Sequence, residues 1–419
     1  MIVRMLDSMP GGRLRNGTVG IGMERTLLIT LTGKDRPGVT SRLFGTLAGF
    51  PVEVSDVEQV VIRGRLILGV LVTHTSEVDP LWDAVKKVAD DLEMEVELSS
   101  PGGSKKTRRK RSQLHVTVLG SPLTPAAMAG VAGRIASHGA NIDRIERLAS
   151  YPVTAIELLV SGADPASLRA ALAAEAAERQ VDVAVQRAGL HRKAKRLIVM
   201  DVDSTLIQGE VIELLAEHAG QLDKVAEITE AAMRGELDFA GSLRERVALL
   251  AGLDASAIDA VRDRIELASG ARTLVRTLKR LDYRFAIVSG GFTQVTDALA
   301  ADLGIDYTAA NTLEIVDGRL TGRVVGPIID RAGKADALRR FAAQAGVPIS
   351  QTVAVGDGAN DLDMLQAAGL GVAYNAKPVV RRAAHTAVNV PYLDTILFLL
   401  GISRDEIEAA DAADAENAS

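Results

Sequence analysis

The stretch "IVMDVDSTL" at residues 198–206 ends an apolar run in two aspartates one residue apart, followed by two hydroxyl side chains. Carboxylates at the end of a buried strand are costly to desolvate, so their presence there asks for a chemical reason. Side chains two apart on an extended segment face the same side. Asp201 and Asp203 can therefore share a pocket, where their repulsion calls for a cation or a shared proton. A second acidic group lies in "VAVGDGANDLDML" at 353–365, where a strand-like run enters a Gly-rich turn carrying Asp357, Asn360 and Asp361. The chain has no cysteine and only six scattered histidines. Oxygen ligands from two strand ends suit a hard cation, and Mg²⁺ is the expected ion. In "AIVSGGF" at 286–292 another run ends in Ser289, Gly290 and Gly291. A hydroxyl with exposed backbone N–H groups can cradle an oxyanion or phosphate, or can simply turn a strand into a helix. Lys334, in "DRAGKADAL" at a helix start, can bring positive charge to the same pocket or sit on the surface.

Positioning these residues requires strands that end at one edge. From Lys195 onward the pattern is a long β/α alternation, with strands expected at "RLIVMD", "FAIVSG", "TVAVGD" and "GLGVAY". That pattern predicts a doubly wound, Rossmann-like parallel sheet, in which sites lie at the strand carboxyl ends. About 80 residues of helical pattern separate "DVDST" from "SGG" and predict a helical cap over roughly 208–284 that excludes water.

The N-terminal half repeats itself. "LLITLTG" and "LHVTVLG" each open a β-α-β-β-α-β order, the ferredoxin-like α+β arrangement. The same 87-residue offset separates Gly33 from Gly120 and Asp56 from Asp143. The modules are expected at 23–100 and 113–190, and the α/β domain at 191–403. Between the modules, 101–112 reads as a linker, and six of the seven residues from Lys105 to Arg111 are basic. A solvated charge run is the plain reading, and a nucleic-acid patch the competing one. Residues 1–22 read as a disordered extension, and 404–419 as an acidic, Ala-rich tail that frays.

Composition bounds the function. A net charge of -6 argues against a general nucleic-acid binder, and 3% aromatic residues against a stacking platform for single strands. The absence of cysteine excludes disulfides, zinc-thiolate sites and thiol nucleophiles. No run reaches the roughly 18 apolar residues of a membrane span, and a cytoplasmic location is expected.

In their order and spacing, "DVDST", "SGG", Lys334 and "GDGAND" resemble the four motifs of the haloacid dehalogenase-type phosphohydrolases over residues 195–400. The resemblance implies that Asp201 attacks phosphorus to form an aspartyl-phosphate. Asp203 would protonate the leaving alkoxide and then deprotonate the attacking water. It further implies Mg²⁺ held by Asp201, the backbone carbonyl of Asp203 and Asp357, with Asp361 in support. "DVDSTLIQGEVIE", "AAMRGELDFAGSLRERVALL", "VSGGFTQV" and "DGRLTGRVVG" are similar to the phosphoserine phosphatases within that superfamily. On that resemblance Glu210 and Arg246 recognise the serine ammonium and carboxylate, Met233 and Phe239 are apolar cap positions, and Ser289, Gly290, Lys334 and Asn360 contact substrate. The implied substrate is O-phospho-L-serine, and the implied role is the last step of L-serine biosynthesis. Another small-molecule phosphatase, or an amino-acid-binding regulator with a relic catalytic domain, are the rival readings. The tandem modules resemble ACT domains. "GKDRPGV" in the first is similar to their effector loop, with Asp35 and Gly38 as candidate contacts, whereas "GSPLTPA" in the second departs from it. This resemblance implies a homodimer and feedback by an amino acid, serine foremost.

Overall fold

In the computed structural model, the described residues are 25–74, 78–100, 113–189, 192, 194–233 and 236–417. The expected N-terminal extension and basic linker lie outside them. The chain divides into two compact units, split after Arg108.

In the first unit, β1 (Arg25–Lys34), β2 (Val52–Ile62), β3 (Arg65–His74) and β4 (Glu95–Ser99) form an antiparallel sheet in the order β2-β3-β1-β4. Alternation along β1 buries Leu27, Ile29 and Leu31 against helices Val39–Leu47 and Asp79–Asp91. The β2–β3 hairpin turns on Arg63 and Gly64, both at positive φ (47° and 79°), the two-residue geometry that matches strand twist.

The second unit begins with the repeat: β5 (Gln113–Gly120), β6 (Asn141–Ala149), β7 (Thr154–Ser161) and β8 (Asp182–Arg187), ordered β6-β7-β5-β8. Thr124 and Asp164 cap its two helices by accepting the backbone N–H of Ala127 and Ser167. Both modules thus have the ferredoxin-like order read from the sequence.

The larger sheet contains, in chain order, β9 (Leu197–Met200), β10 (Arg284–Phe292), β11 (Tyr307–Val316), β12 (Arg319–Val325), β13 (Thr352–Gly356), β14 (Leu370–Tyr374) and β15 (Thr386–Val388). Their spatial order is β12-β11-β10-β9-β13-β14-β15, parallel except for the β11–β12 hairpin. Every residue of β9 and β13 is buried, as expected for central strands covered on both faces.

Between β9 and β10, helices Val211–His218, Leu222–Met233, Phe239–Ala248 and Ser256–Arg264 form the cap. Its stem closes where Ile207 bridges Leu267 and the Gln208 N–H donates to the Glu266 carbonyl. The following helix, Ala271–Arg280, packs back against β10. The β11–β12 hairpin, unforeseen in the sequence, braces the cap. Gly252 and Leu253 pair with Leu320, and Gly322 (φ 80°) lies so close to Ala248 and Ala251 that a Cβ there would come within 2.8 Å of the Ala251 Cβ.

Two further departures from the sequence reading stand out. The acidic C-terminal stretch does not fray but forms the helix Arg404–Asn417. Its Ile407 is buried, and its Asp411 and Asp414 pair with Arg276 and Arg280. An isolated helix of that length is marginal, and here packing and complementary charge hold it. The second module also shares its core with the α/β domain. Leu119, Leu148, Ala155 and Ala184 belong to one cluster with Val388, Leu397 and Phe398. Two buried polar groups bridge this seam: Asp182 accepts from the Asn389 N–H and side-chain amide, and the Gln186 amide donates to the Leu399 carbonyl at 2.7 Å. Among the described residues, no helix is long and apolar enough to cross a membrane.

Candidate active site

The chain leaves β9 at Met200 and folds into a tight turn over Val202–Leu206, closed by the Ile207 N–H donating to the Val202 carbonyl. Ser204 takes a left-handed conformation (φ 55°), held by its N–H to the Gly209 carbonyl and its hydroxyl to Glu210 at 3.2 Å. The turn aims the two aspartates at different partners. Asp201, 4% exposed, accepts from the Val202 N–H at 2.8 Å and from the Lys334 ammonium at 2.7 Å. Asp203 accepts from the Val211 N–H at the first turn of a cap helix (2.8 Å) and from the Ser289 hydroxyl (2.9 Å).

Ser289 is fully buried at the end of β10, and its oxygen also accepts the Gly291 N–H at 2.7 Å. A side chain at Gly291 would meet Asp203 and Ser289 at 2.9 Å, and one at Gly290 would meet Phe239 of the cap at 3.0 Å. Glycine is therefore required where the strand end passes beneath these groups. The Gly290 carbonyl accepts from the Asn311 amide at 2.8 Å, while the Asn311 oxygen accepts the Ile329 N–H.

The third wall is the turn after β13. Gly356 leaves room for Asp361, whose Cγ would lie 2.4 Å from a Cβ at that position. Asp361 accepts from the Gly358 N–H and from Lys334, so that Lys334, 1% exposed, bridges Asp201 and Asp361 at 2.7 Å each. Asp357 accepts from the Thr205 hydroxyl at 3.1 Å, and Asn360 folds back over Gly358.

The electrostatics are strained toward a cation. Burial and then the Asp361 charge hold Asp201 well above the usual carboxylate range. Burial, with Asp361, pushes Asp357 up to about 6. Burial opposes the charge on Lys334, but Asp201 and Asp361 more than offset it and hold the ammonium above its ordinary value. Carboxylate oxygens of Asp201, Asp357 and Asp361 lie within 4.8 Å of one another, so three carboxylates face one ammonium. This all-oxygen, net-negative donor set fits a hard divalent cation such as Mg²⁺.

Above this floor stand Glu210 and Arg246. Burial, with the Asp203 and Asp357 charges, pushes Glu210 up to about 7. Burial lowers Arg246, whereas the charges of Glu210 and Asp203 act to raise it. The Arg246 Nε donates to the Ser242 carbonyl at 3.3 Å. No salt bridge joins Arg246 to Glu210 among the described residues, so its terminal nitrogens can face another anion. Phe239 is half-buried beside them, and the Met233 side chain lies outside the described residues.

Asp201, Asp203, Glu210, Arg246, Ser289, Gly290, Lys334, Asn360, Asp357 and Asp361 thus belong to one region of the second unit. Asp35 and Gly38 lie in the first unit, where the Asp35 N–H donates to the Gly64 carbonyl and Gly38 (φ 95°) precedes helix Val39–Leu47. Sequence reasoning missed Thr205 and Asn311. Thr205 stood inside the quoted "DVDST" motif, whereas Asn311 offered no signal beyond a polar residue in an apolar run.

Comparison with known proteins gives three domain matches. The haloacid dehalogenase-like hydrolase family matches residues 198–366, and ACT domain families match 25–99 and 112–186. The chain is 65% identical over 388 residues to a phosphoserine phosphatase of Streptomyces coelicolor, covering 92% of this chain and 94% of that protein. It is 56% identical over 399 residues to the phosphoserine phosphatase SerB2 of Mycobacterium tuberculosis, covering 93% and 96%. Among solved structures, a HAD family hydrolase from Salmonella enterica serovar Typhi aligns with a TM-score of 0.61 at 31% identity, covering 68% of this chain and 98% of that one. A probable phosphoserine phosphatase from Vibrio cholerae, in unliganded form, aligns with a TM-score of 0.55 at 37% identity, covering 70% and 88%.

Proposed function

The chain belongs to the haloacid dehalogenase-like phosphoserine phosphatases with paired ACT domains, and from that membership we propose that it hydrolyses O-phospho-L-serine to L-serine and phosphate through a phosphorylated Asp201. The Asp201 carboxylate attacks phosphorus, and the bond from phosphorus to the seryl oxygen breaks. Asp203 gives its proton to the leaving alkoxide, then takes a proton from the water that attacks the aspartyl-phosphate. The bond from phosphorus to the Asp201 oxygen breaks, phosphate leaves, Asp201 returns as a carboxylate and Asp203 is again protonated. The observed bonds support this division of labour: Lys334 holds Asp201, while Ser289 and the Val211 N–H hold Asp203 apart from it.

A phosphomonoester dianion repels a carboxylate nucleophile. Lys334, the Ser289–Gly290 strand end and Asn360 are placed to counter that charge and orient the phosphoryl group. Mg²⁺ would be held by Asp201, the backbone carbonyl of Asp203 and Asp357, with Asp361 beside them, and when bound supplies positive charge that offsets the phosphate oxygens. The observation that carries the substrate reading is the half-buried combination of Glu210 and Arg246 beside Asp203, with no salt bridge between them among the described residues. Glu210 can accept from a serine ammonium, and Arg246 can clamp its carboxylate. The cap helices close over the site and exclude water from the ester.

The same reading assigns the protein to the cytoplasm and to the last step of L-serine biosynthesis. The ACT domains support amino-acid feedback, with Asp35 and Gly38 as contacts for serine or a related amino acid, and assembly as a homodimer. The test is phosphate release from O-phospho-L-serine with Mg²⁺, with and without added serine. Release abolished in Asp201→Asn and reduced by serine supports both halves. Release by Asp201→Asn at the parental rate refutes the catalytic assignment, and indifference to serine refutes serine feedback.

A further inference from the structure

At the end of the large sheet opposite Asp201 and Asp357, basic side chains from three segments gather without a carboxylate among them. Lys195, 5% exposed, donates to the Ser350 carbonyl at 2.6 Å, and its ammonium would lie 2.5 Å from a Cβ on Gly369. Two residues on, the Gly371 N–H donates to His385 Nδ1 at 2.8 Å, which leaves the ring proton on Nε2. The segment after His385 lies against β8, where the Thr386 hydroxyl donates to the Val183 carbonyl. Two residues further along that strand, Arg169 donates through Nη2 to the Val185 carbonyl at 3.3 Å, while its Nε is buried with no partner.

Burial depresses each of these groups. It takes Lys195 down to about 8, and lowers Arg169 with help from Arg187. Burial also lowers His385, with Arg169 and Lys195 adding to the effect. No carboxylate offsets any of them. On the neighbouring elements, Asp182 is engaged by Asn389, and Glu175 by Arg134 and Arg179. The connecting sequence "RAGLHRKAKR" at 187–196 contains no acidic residue.

A buried ammonium such as Lys195, with only a carbonyl partner beside it, is costly to hold out of water, as is the unpartnered Arg169 Nε. Proteins normally offset such groups with a carboxylate or a bound anion. We propose that this seam between the second ACT domain and the catalytic domain is a binding site for a small oxyanion of the phosphate class, held by Arg169, Lys195 and His385 Nε2. Donors arriving from three segments match a tetrahedral dianion better than a single planar carboxylate. The site is separate from the catalytic centre, and its assignment does not depend on that centre's mechanism.

The test uses the full-length protein and inorganic phosphate at constant ionic strength, balanced with sodium chloride. His385 ring signals, identified by their loss in His385→Gln, are expected to shift saturably with phosphate in the parent and not in Lys195→Met. Phosphate is expected to raise the melting temperature of the parent by about 2–4 °C more than that of Lys195→Met, which retains the parental kcat and KM. His385 signals unmoved by phosphate overturn the proposal, as does an equal response in Lys195→Met. A saturable shift with acetate at lower concentration overturns the assignment to phosphate. The measurement on the parent alone decides if the variant does not fold.

Discussion

Replacing Arg246 by alanine separates recognition of a substrate carboxylate from chemistry at phosphorus. The guanidinium sits on the cap helix Phe239–Ala248, tied only through Nε to Ser242, with its remaining nitrogens available to a ligand. Removing one member of a desolvated, hydrogen-bonded charge pair costs about 3–5 kcal/mol, and the lower half of that range fits a residue that is not fully buried. A loss of about 3–4 kcal/mol corresponds to roughly 10²–10³-fold in kcat/KM for phosphoserine. Arg246→Lys should recover only part of this, because an ammonium lacks the planar fork. Truncation also removes a favourable charge from Glu210, already pushed up to about 7, so more Glu210 is neutral near pH 7 and ammonium recognition weakens too. The assay is steady-state phosphate release from O-phospho-L-serine and from an aryl phosphate lacking both amino-acid groups. Aryl phosphate turnover should change by less than about threefold, the size of an ordinary surface effect. Parallel losses on both substrates would mean that Arg246 supports the cap rather than a carboxylate, and the substrate reasoning would fail.

Lys334→Met leaves Asp201 and Asp361 facing each other without their ammonium, and is expected to destabilise the metal-free second unit by about 3–5 kcal/mol in urea unfolding, partly recovered by adding Mg²⁺. EDTA should abolish activity and Mg²⁺ restore it, while Asp357→Asn should raise the Mg²⁺ concentration for half-maximal activity by about 10–100-fold in a metal titration. At the seam, burial raises Glu157 but bonds from His115 and Arg192 win and hold it below its usual value. A carboxyl depressed on folding contributes stability above its unfolded pKa and loses it as pH falls through the folded one. Thermal unfolding of the parent should therefore lose stability on acidification below about pH 4.5, and Glu157→Gln should show a shallower acid limb, with an unchanged limb counting against the pair.

The central strands were legible because β9 and β13 are buried on both faces and read as unbroken apolar runs. A carboxylate at the end of such a run has no packing reason to be there, so Asp201, Asp203 and Asp357 stood out. Lys334 was less distinct: "DRAGKADAL" resembles any helix start, and the residue is buried only because Asp201 and Asp361 meet it from two other elements. The β11–β12 hairpin was hidden for a similar reason. Its order comes from pairing with Gly252 and Leu253 in the cap, contacts that no local pattern encodes. The C-terminal helix draws its partners from Arg276 and Arg280, more than a hundred positions away. What local sequence could not contain is the pairing of remote charges and edges, and the junction after residue 190 shows the consequence. Composition changes there, yet Leu119, Leu148, Ala155 and Ala184 complete a core whose other half is Val388, Leu397 and Phe398. Cutting the chain at that junction would expose both halves and strand the bonds that Asp182 and Gln186 make across it. The second ACT domain and the catalytic domain therefore share one core, so separating them would cost the burial that these side chains provide to each other.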